Sequence, residues 1–299
     1  MDRQPTRSKR VREERRYDKT QLRASGHGRT VHRDYGAHVL RWNFVANELL
    51  KPRLTGSPTL RATEIMLESA RTSDVPEYVP PYLTDMFFKY GWVGKEFKQH
   101  MKVLDVGCGQ DQPLLYVLGA RVQTVPDLYV GVDLNSITRK SNVRWAKIYD
   151  NYDFNANHQK LSEAHGEFDV AVCFEVIEHM APEDGATLLA GIRACLVPGG
   201  KLYLSTPVFD GMAAANHIHE YTIPELKSAI EAAGFTIVDR FGTFASKPTI
   251  RWAMKGAKRE DHLKVYDELE RWFGGDVIST FMAPLYPDDS RNNLWVCQK

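Results

Sequence analysis

The feature that most constrains the fold of this 299-residue chain is an alternation of short apolar runs with longer helical stretches from Met101 onward. Four of the runs are rich in Val, Leu, Tyr and Phe: KVLDVG, LYVGVDL, FDVAVCF and GKLYLSTP. Strands that alternate with crossover helices form a parallel sheet covered on both faces. In such a sheet the ligand lies beyond the carboxyl ends of the strands. The sequence therefore predicts an α/β fold with its binding site in the loops that follow the strands.

The loop after the first of these strands reads DVGCGQD, residues 105–111, and indicates the class of cofactor. A dinucleotide fingerprint, G-x-G-x-x-G, needs a third glycine, but Gln112 stands at that position. The carboxylate of Asp105 would also lie badly beside a pyrophosphate. It suits a cofactor that carries a positive amine and a sulfonium, and S-adenosylmethionine is such a molecule.

Four segments carry a family resemblance: VLDVGCG, YVGVDLN, FDVAVCFEVIEHM and LVPGGKLYLSTP. In this order and spacing they resemble the motifs of class I S-adenosylmethionine-dependent methyltransferases, over residues 101–243. The resemblance implies a seven-stranded, mostly parallel, doubly wound sheet whose last strand is antiparallel. NNLWVCQK, at the C-terminus, is the candidate for that strand. A further segment, TVHRDYGAHVLRW, is similar to part of phage-encoded methyltransferases of unassigned substrate.

The resemblance also implies how the cofactor is held. Gly107 and Gly109 let the backbone approach its methionine and ribose portions, because neither residue carries a Cβ. Asp105 matches the family acid near the amino group of the cofactor, directly or through water. Asp133 matches the acid that accepts both ribose hydroxyls, since a carboxylate has the lone pairs for two such bonds.

The adenine ring is expected near YDNYDFN, residues 149–155. Asp153 would face the exocyclic amine and Phe154 the ring, with Asp150 as the competing acid. Cys108 is expected to fill space rather than to act as a nucleophile. The predicted cofactor-binding set is Asp105, Gly107, Cys108, Gly109, Asp133, Leu134, Asp153, Phe154 and Glu175.

The run CFEVIEHM, which ends the fourth strand in the family pattern, carries the predicted catalytic residues. Glu175, Glu178 and His179 stand at i, i+3 and i+4, so a helical turn would place all three on one face. His179 is the predicted general base, because an imidazole of ordinary pKa suits proton removal near neutral pH. Glu175 is the second predicted catalytic residue.

This run is similar to two groups of methyltransferases. Small-molecule O-methyltransferases, such as those of ubiquinone biosynthesis, carry a related E-V-x-E-H run. Small-RNA 2′-O-methyltransferases of the Hen type use E-x-x-E-H and a later histidine to hold a divalent ion. The alternative to a lone base is therefore Mg²⁺ or Mn²⁺ on Glu175, Glu178, His179 and His217. The sequence favours the metal-free site and assigns no metal ligand.

Charge is distributed unevenly along the chain. The formal net charge is +1, yet residues 1–33 hold eleven Lys or Arg against four Asp or Glu and almost no apolar residues. Such an arm is predicted to be mobile when free, and it is a candidate for binding nucleic acid. No apolar run approaches the roughly 20 residues of a membrane span, and the N-terminus lacks the apolar stretch of a secretory signal. A cytoplasmic protein without membrane contact is expected.

The predicted organisation has three parts. Residues 1–33 form the basic arm, residues 34–100 a helical extension or cap, and residues 101–299 the methyltransferase domain. Residues 244–291 form an insertion before the last strand, with a charged helix near residues 258–273 and a predicted role in a substrate lid.

The predicted function is direct methyl transfer from S-adenosylmethionine to an unidentified acceptor. Oxygen is favoured slightly over nitrogen as the atom methylated. The alternatives are a nucleic-acid methyltransferase that uses the basic arm, and a catalytically idle cofactor-fold protein that binds nucleic acid or another protein.

Overall fold

A computed structural model describes residues 81–299, apart from 120–124, 139, 142, 246, 255–258 and 274. The described strands form one seven-stranded sheet in the order β3-β2-β1-β4-β5-β7-β6. Neighbouring strands among β1 to β5 pair in parallel, whereas β7 runs antiparallel to both β5 and β6. The strands are β1 (Lys102–Val106), β2 (Leu128–Val132), β3 (Ala146–Tyr149), β4 (Phe168–Phe174), β5 (Leu196–Pro207), β6 (Thr236–Phe244) and β7 (Asn292–Gln298).

This topology confirms the predicted fold class. The four apolar runs become β1, β2, β4 and β5, and the C-terminal segment becomes the antiparallel strand β7. The helices in the described residues are α1 (Pro81–Glu96), α2 (Pro113–Gly119), α3 (Phe154–His165), α4 (Pro182–Cys195), α5 (Ile223–Ala232), α6 (Lys247–Ala253), α7 (Arg259–Phe273) and α8 (Gly275–Met282).

Both faces of the sheet are buried, as a parallel sheet requires. On β1, Leu104 and Val106 pack into the core on one face, with α3, α4 and α5. Val103 packs into the core on the opposite face. This alternation follows from the two-residue period of a strand. The carboxyl ends of β1, β2, β4 and β5 therefore emerge between two covered faces, where the predicted site residues lie.

Helix α1 belongs to the second of these cores. Val93, at its C-terminal end, and Phe97, just beyond it, are buried with Leu114 and Leu118 of α2. Because Val93 is buried in this cluster, α1 packs against the same core as the sheet. The basic arm, the helix predicted from Asp34 onward and the segment TVHRDYGAHVLRW lie outside the described residues.

The segment between β6 and β7 is helical in its described parts and has a small core of its own. The predicted charged helix corresponds to α7. Tyr266 of α7 is fully buried, and its hydroxyl lies 2.7 Å from the Ser279 hydroxyl of α8. Ile250 and Met254 pack in the same cluster. Among the described helices, none combines the length and apolar character needed to cross a membrane.

Candidate active site at the carboxyl ends of the strands

The loops that follow β1 and β2 are joined by backbone and carboxylate hydrogen bonds. The amides of Gly107 and Cys108 donate to the Val132 carbonyl at 2.8 and 3.1 Å. The Gly109 amide donates to Oδ2 of Asp133 at 2.9 Å, and the Asn135 amide donates to Oδ1 of the same carboxylate at 2.8 Å. The structure thus brings together the predicted glycine turn and the predicted ribose-binding acid.

The two glycines of the turn have positive φ angles of 75° at Gly107 and 70° at Gly109. This left-handed backbone strains any residue with a Cβ. A Cβ on Gly107 would also lie 2.3 Å from Cγ2 of Val176, whereas a Cβ on Gly109 would meet nothing within 4 Å. Open space beside Gly109 leaves the backbone of the turn accessible to a ligand.

Asp105 is buried at the end of β1. The Tyr129 hydroxyl donates to its Oδ2 at 2.6 Å. Burial raises the pKa of Asp105 to about 7; the bond from Tyr129 opposes this shift, and the charge of Asp133 adds to it. Burial likewise raises the pKa of the Cys108 thiol well above its usual range. A buried thiol of this kind is a poor nucleophile.

The structure places the residues predicted to contact adenine in different surroundings. Leu134 follows Asp133 and is 69% exposed. Asp153 caps the N-terminus of α3, accepting the Ala156 amide at 3.2 Å, and Asp150 is bound by Lys140. Phe154 is buried in the core under α3 and α4. A ring buried there is withdrawn from the loops, so the geometry disfavours the predicted stacking of Phe154 on adenine.

Glu175 lies just beyond β4, with a positive φ of 57°. Lys89 Nζ donates to its Oε1 at 2.8 Å, and the Ser205 hydroxyl donates to the same atom at 2.7 Å. The Asn292 amide donates to Oε1 and Oε2 at 3.0 and 2.9 Å. Lys89 is 1% exposed, while the Glu175 side chain is 36% exposed.

The pKa of Glu175 lies below its usual value because of the groups that contact its carboxylate. Burial alone would raise this pKa, but the positive charge of Lys89 and the hydrogen bonds from Lys89, Asn292 and Ser205 outweigh burial. The carboxylate is therefore ionised and held by donors from α1, β5 and β7. A strained backbone of this kind persists only where surrounding contacts hold it in place.

The prediction that Glu175, Glu178 and His179 share one helical face is wrong. The segment Ile177–His179 forms a 3₁₀ turn, and Glu175 precedes it in a left-handed conformation. The carboxylate of Glu175 therefore contacts Lys89, whereas the Thr206 hydroxyl donates to Oε2 of Glu178 at 3.0 Å.

A different trio is brought together: Glu178, His179 and His217. Their ligand atoms, one from each side chain, all lie within 4.8 Å of one another. The backbone carbonyl of Glu178 accepts the amides of Ile218 and His219 at 2.9 and 3.1 Å. These bonds hold the loop after β5 against the 3₁₀ turn, so His217 reaches the same place as His179.

Each of the two histidines has one ring nitrogen fixed. Nδ1 of His179 lies 3.0 Å from the Asn216 carbonyl, and Nδ1 of His217 lies 2.7 Å from Oε1 of Glu220. The rings meet edge to face with centroids 4.9 Å apart. His179 is exposed, so this trio is open to solvent. Burial, together with the charge of Glu175, raises the pKa of Glu178 to about 8.

Three residues of the site were missed by sequence reasoning: Lys89, Ser205 and Asn292. Ser205 and Asn292 lie in strand segments named above and Lys89 lies in a helix, and the three stand 30, 117 and 86 positions from the carboxylate that they contact. No local spacing connects them to Glu175. The contact between Glu220 and His217 has a local sequence signal, because Glu220 lies three residues after His217 in NHIHEYT.

The chain is similar to known proteins over the region just described. The family described as "Methyltransferase domain" matches residues 75–240, more than half of the chain. Ubiquinone biosynthesis O-methyltransferase of Xanthomonas euvesicatoria pv. vesicatoria is 32% identical over 110 residues, 35% of this chain and 42% of that protein. The Pseudomonas aeruginosa LESB58 protein of the same name is 30% identical over 105 residues, 35% of this chain and 44% of that protein. The chain thus spans less than half of these curated relatives.

Solved structures with a similar chain trace include an S-adenosylmethionine-dependent methyltransferase from Archaeoglobus fulgidus. It has a TM-score of 0.49 and 16% identity, and the match covers 79% of this chain and 99% of that chain. Another is the 1,6-didemethyltoxoflavin-N1-methyltransferase of Burkholderia thailandensis, solved with S-adenosylhomocysteine. Its TM-score is 0.45 at 19% identity, covering 83% of this chain and 93% of that chain.

The strand order, the antiparallel last strand and the glycine turn joined to Asp133 agree with the family match. The chain therefore belongs to the methyltransferase domain family.

Proposed function

We propose that this methyltransferase transfers the methyl group of S-adenosylmethionine directly to an oxygen atom of its acceptor. The observation that carries the proposal is the group of two imidazoles and a carboxylate, His179, His217 and Glu178, at the carboxyl ends of β4 and β5. A hydroxyl must lose its proton as it takes the methyl group, and such side chains can take up or redistribute that proton. The curated relatives named above are O-methyltransferases, which is consistent with this acceptor.

The cofactor is assigned to the loops after β1 and β2. Asp133 would accept the ribose hydroxyls, since its carboxylate already lies at the mouth of the turn with Gly109 beside it. Asp105 is buried and would reach the cofactor's amino group through water. Leu134, exposed next to Asp133, would pack against the adenine. The open space beside Gly109 supports a close approach of the cofactor to the backbone.

Glu175 is assigned a positioning role. Lys89, Ser205 and Asn292 hold its carboxylate, so the side chain connects α1, β5 and β7 below the turn that carries His179. This arrangement differs from the predicted catalytic role. Acceleration would come from holding the acceptor oxygen about 3 to 3.5 Å from the methyl group and excluding water, without a nucleophile on the protein.

The insertion between β6 and β7 is proposed to enclose the acceptor. Helix α8 contacts α1 and β6, and the Arg291 amide donates to the Phe244 carbonyl at 2.8 Å, which fixes the start of β7. Asn292 follows immediately and bonds to Glu175. The insertion thus ends at the proposed active site.

The test is a transfer assay with methyl-labelled S-adenosylmethionine against fractionated cell extract. RNA, DNA, protein and small molecules are separated after the reaction, and the linkage of the label is identified by mass spectrometry. The proposal expects label in one fraction as an O-methyl group. Label on nitrogen would overturn the oxygen assignment. Cofactor binding without transfer to any fraction would favour the idle binding protein.

A nucleic-acid acceptor is a second candidate, favoured by the positive balance of residues 1–33. Lys and Arg side chains that neutralise phosphates release counterions, so affinity falls steeply with salt. Deleting residues 1–29 should flatten the slope of log affinity against log salt and leave cofactor binding intact. If neither the slope nor the affinity changes, the arm does not bind nucleic acid.

A further inference from the structure

A buried tyrosine of β2 contacts the acid that ends β1. Tyr129 is 0% exposed, and its hydroxyl donates to Oδ2 of Asp105 at 2.6 Å. In the parallel pairing of the two strands, Val103 lies opposite Tyr129 and Asp105 lies opposite Gly131. Side chains two residues apart on a strand share one face of the sheet. The Tyr129 side chain therefore extends along this face, past Gly131, to reach Asp105.

The glycine between them leaves room for this contact. A Cβ on Gly131 would lie 3.0 Å from Cε1 of Tyr129 and 3.0 Å from Sγ of Cys108. The favourable separation of two carbon atoms is about 3.5 to 4.0 Å, so a side chain at this position would press on the tyrosine ring. The absence of a side chain at Gly131 therefore lets the ring pass along the strand to Asp105.

Titratable groups of the described residues surround this pair: Asp133 after β2, Cys108 in the turn, Cys173 on β4 and Tyr90 on α1. Burial raises the pKa of Asp105, the bond from Tyr129 lowers it, and the charge of Asp133 raises it further. Burial also raises the pKa values of both thiols above their usual range, so both are neutral. Within this set, the Tyr129 hydroxyl is the group that stabilises the ionised form of Asp105.

We propose that Tyr129 is a positioning residue for the amino-acid end of S-adenosylmethionine, because its hydroxyl holds the Asp105 carboxylate in place and in its charged form. This inference rests on the proposed function, in which Asp105 reaches the amino group of the cofactor through water. The amino group is positively charged, so an ionised carboxylate attracts it and a protonated carboxyl does not. Tyr129 acts through Asp105 and is not itself a catalytic residue.

The affinity for the cofactor should consequently depend on pH. The pKa of Asp105 is raised to about 7, so the affinity for a ligand with a charged amino group should rise as the carboxyl ionises near that pH. Removal of the Tyr129 hydroxyl should move this midpoint to higher pH, because a hydrogen bond to the charged form is lost. A midpoint higher by about one unit leaves about one tenth of the carboxyl ionised at pH 7 instead of about one half, which is about a fivefold loss of affinity.

The test is calorimetric titration of the folded protein with two probes, S-adenosylhomocysteine, which carries the amino-acid group, and 5′-methylthioadenosine, which lacks it. At pH 7, Tyr129→Phe should weaken binding of S-adenosylhomocysteine about fivefold. It should change binding of 5′-methylthioadenosine by less than about twofold. Tyr203→Phe is the matched control: it removes the hydroxyl of another buried tyrosine in the same core, so both probes should bind as they do to the wild type.

A pH series with S-adenosylhomocysteine, from about pH 6 to pH 8.5, shows whether Tyr129 acts through Asp105. The wild-type affinity should rise with a midpoint near 7, and the midpoint should be higher in Tyr129→Phe. In an Asp105→Asn background, Tyr129→Phe should change the affinity by less than about twofold, because no carboxylate remains for the hydroxyl to hold.

Circular dichroism and urea unfolding establish that each variant is folded before titration. A wild-type affinity that does not change with pH would overturn the positioning role, and this measurement needs no variant. An equal loss for both probes in Tyr129→Phe, or a loss that persists in the Asp105→Asn background, would also overturn it by showing a general effect on the turn. If these effects are missing while the wild type binds S-adenosylhomocysteine, the proposed function stands. If the wild type binds neither probe, the proposed cofactor site itself fails.

Discussion

Asp105 and Glu175 are two acids at the carboxyl ends of neighbouring strands, yet their surroundings shift their pKa values in opposite directions. Asp105 ends β1 with the Tyr129 hydroxyl as a partner, and burial raises its pKa to about 7. Glu175 follows β4, where Lys89 and two further donors outweigh burial and lower its pKa. Burial alone therefore does not set the charge of an acid at this edge. The difference is the cation, because Glu175 has Lys89 beside it whereas Asp105 has only the Tyr129 hydroxyl among the contacts described.

The first prediction concerns the pH dependence of stability at Asp105. The folded protein keeps a proton on Asp105 up to about pH 7, whereas the unfolded chain releases it near the ordinary value of 3.8. Ionising this buried acid is a cost, so its contribution to stability falls as pH rises from about 4 to 7. The difference corresponds to about 4 kcal/mol at most. The Asp105→Asn variant should lack this pH-dependent contribution to stability.

Urea unfolding of both proteins between pH 4 and pH 8 checks this prediction. The wild-type protein and the Asp105→Asn variant should converge near pH 4, and the variant should be the more stable above pH 7. A difference in unfolding free energy that does not change with pH would show that Asp105 is already ionised in the fold. The contrast with Glu175 would then disappear.

The second prediction concerns Glu175 when its neighbouring cation is removed, so that it becomes, like Asp105, an acid without a cation among its described contacts. Lys89→Met removes the cation and leaves a partly buried carboxylate without its main partner. The free energy of unfolding at pH 7 should fall by about 3 kcal/mol. This loss is at the lower end of the range for breaking a buried ion pair, because the Glu175 side chain is 36% exposed.

Two controls accompany Lys89→Met. The double variant Lys89→Met/Glu175→Gln should recover part of the loss, since no charge remains unpaired. Lys227→Met breaks an exposed pair with Glu231 on α5 and should cost less than about 0.5 kcal/mol. Equal losses at Lys89 and Lys227, measured by urea unfolding, would contradict the role given to the buried pair.

The Asp105 side of the site could be predicted from sequence because its contacts are short-range in the fold. The glycine turn and Asp133 end adjacent parallel strands, so strand order alone brings them together. The antiparallel last strand was predictable from the family resemblance, which implies such a strand at the C-terminus. Local patterns were sufficient here because sheet topology converts them into contacts.

The Glu175 side could not be predicted, for a physical reason. Lys89 and Asn292 come from α1 and β7, near opposite ends of the described chain, and no sequence spacing links either residue to Glu175. The left-handed backbone at Glu175 breaks the helical spacing on which the shared face was predicted. The ring of Phe154 lies in the core because α3 begins at that residue, and this burial could not be predicted from the sequence.

The third prediction separates two glycines that look alike in sequence. Both have positive φ, so alanine at either position should cost about 1 to 2 kcal/mol of backbone strain. Gly107→Ala also clashes with Val176 beside Glu175, which raises its cost to about 2 to 3 kcal/mol. Gly109→Ala has open space and should remain near 1 kcal/mol.

Thermal and urea unfolding of the two glycine variants measure this difference. The comparison predicts a larger loss at Gly107, since that position contacts the segment after β4. A larger loss at Gly109 would mean that the packing of the turn against Val176 is not tight. Cofactor affinity should respond in both variants, because each alters the turn.

The central claim is that S-adenosylmethionine binds at the turn after β1 with its ribose on Asp133, and calorimetric titration with S-adenosylhomocysteine tests it most directly. The wild-type protein should bind with micromolar or tighter affinity. Asp133→Ala should weaken binding at least tenfold, about 1.4 kcal/mol. Asp239→Ala, an exposed acid on β6, should bind as the wild type does. Equal affinities for the wild-type protein and Asp133→Ala would contradict the assignment.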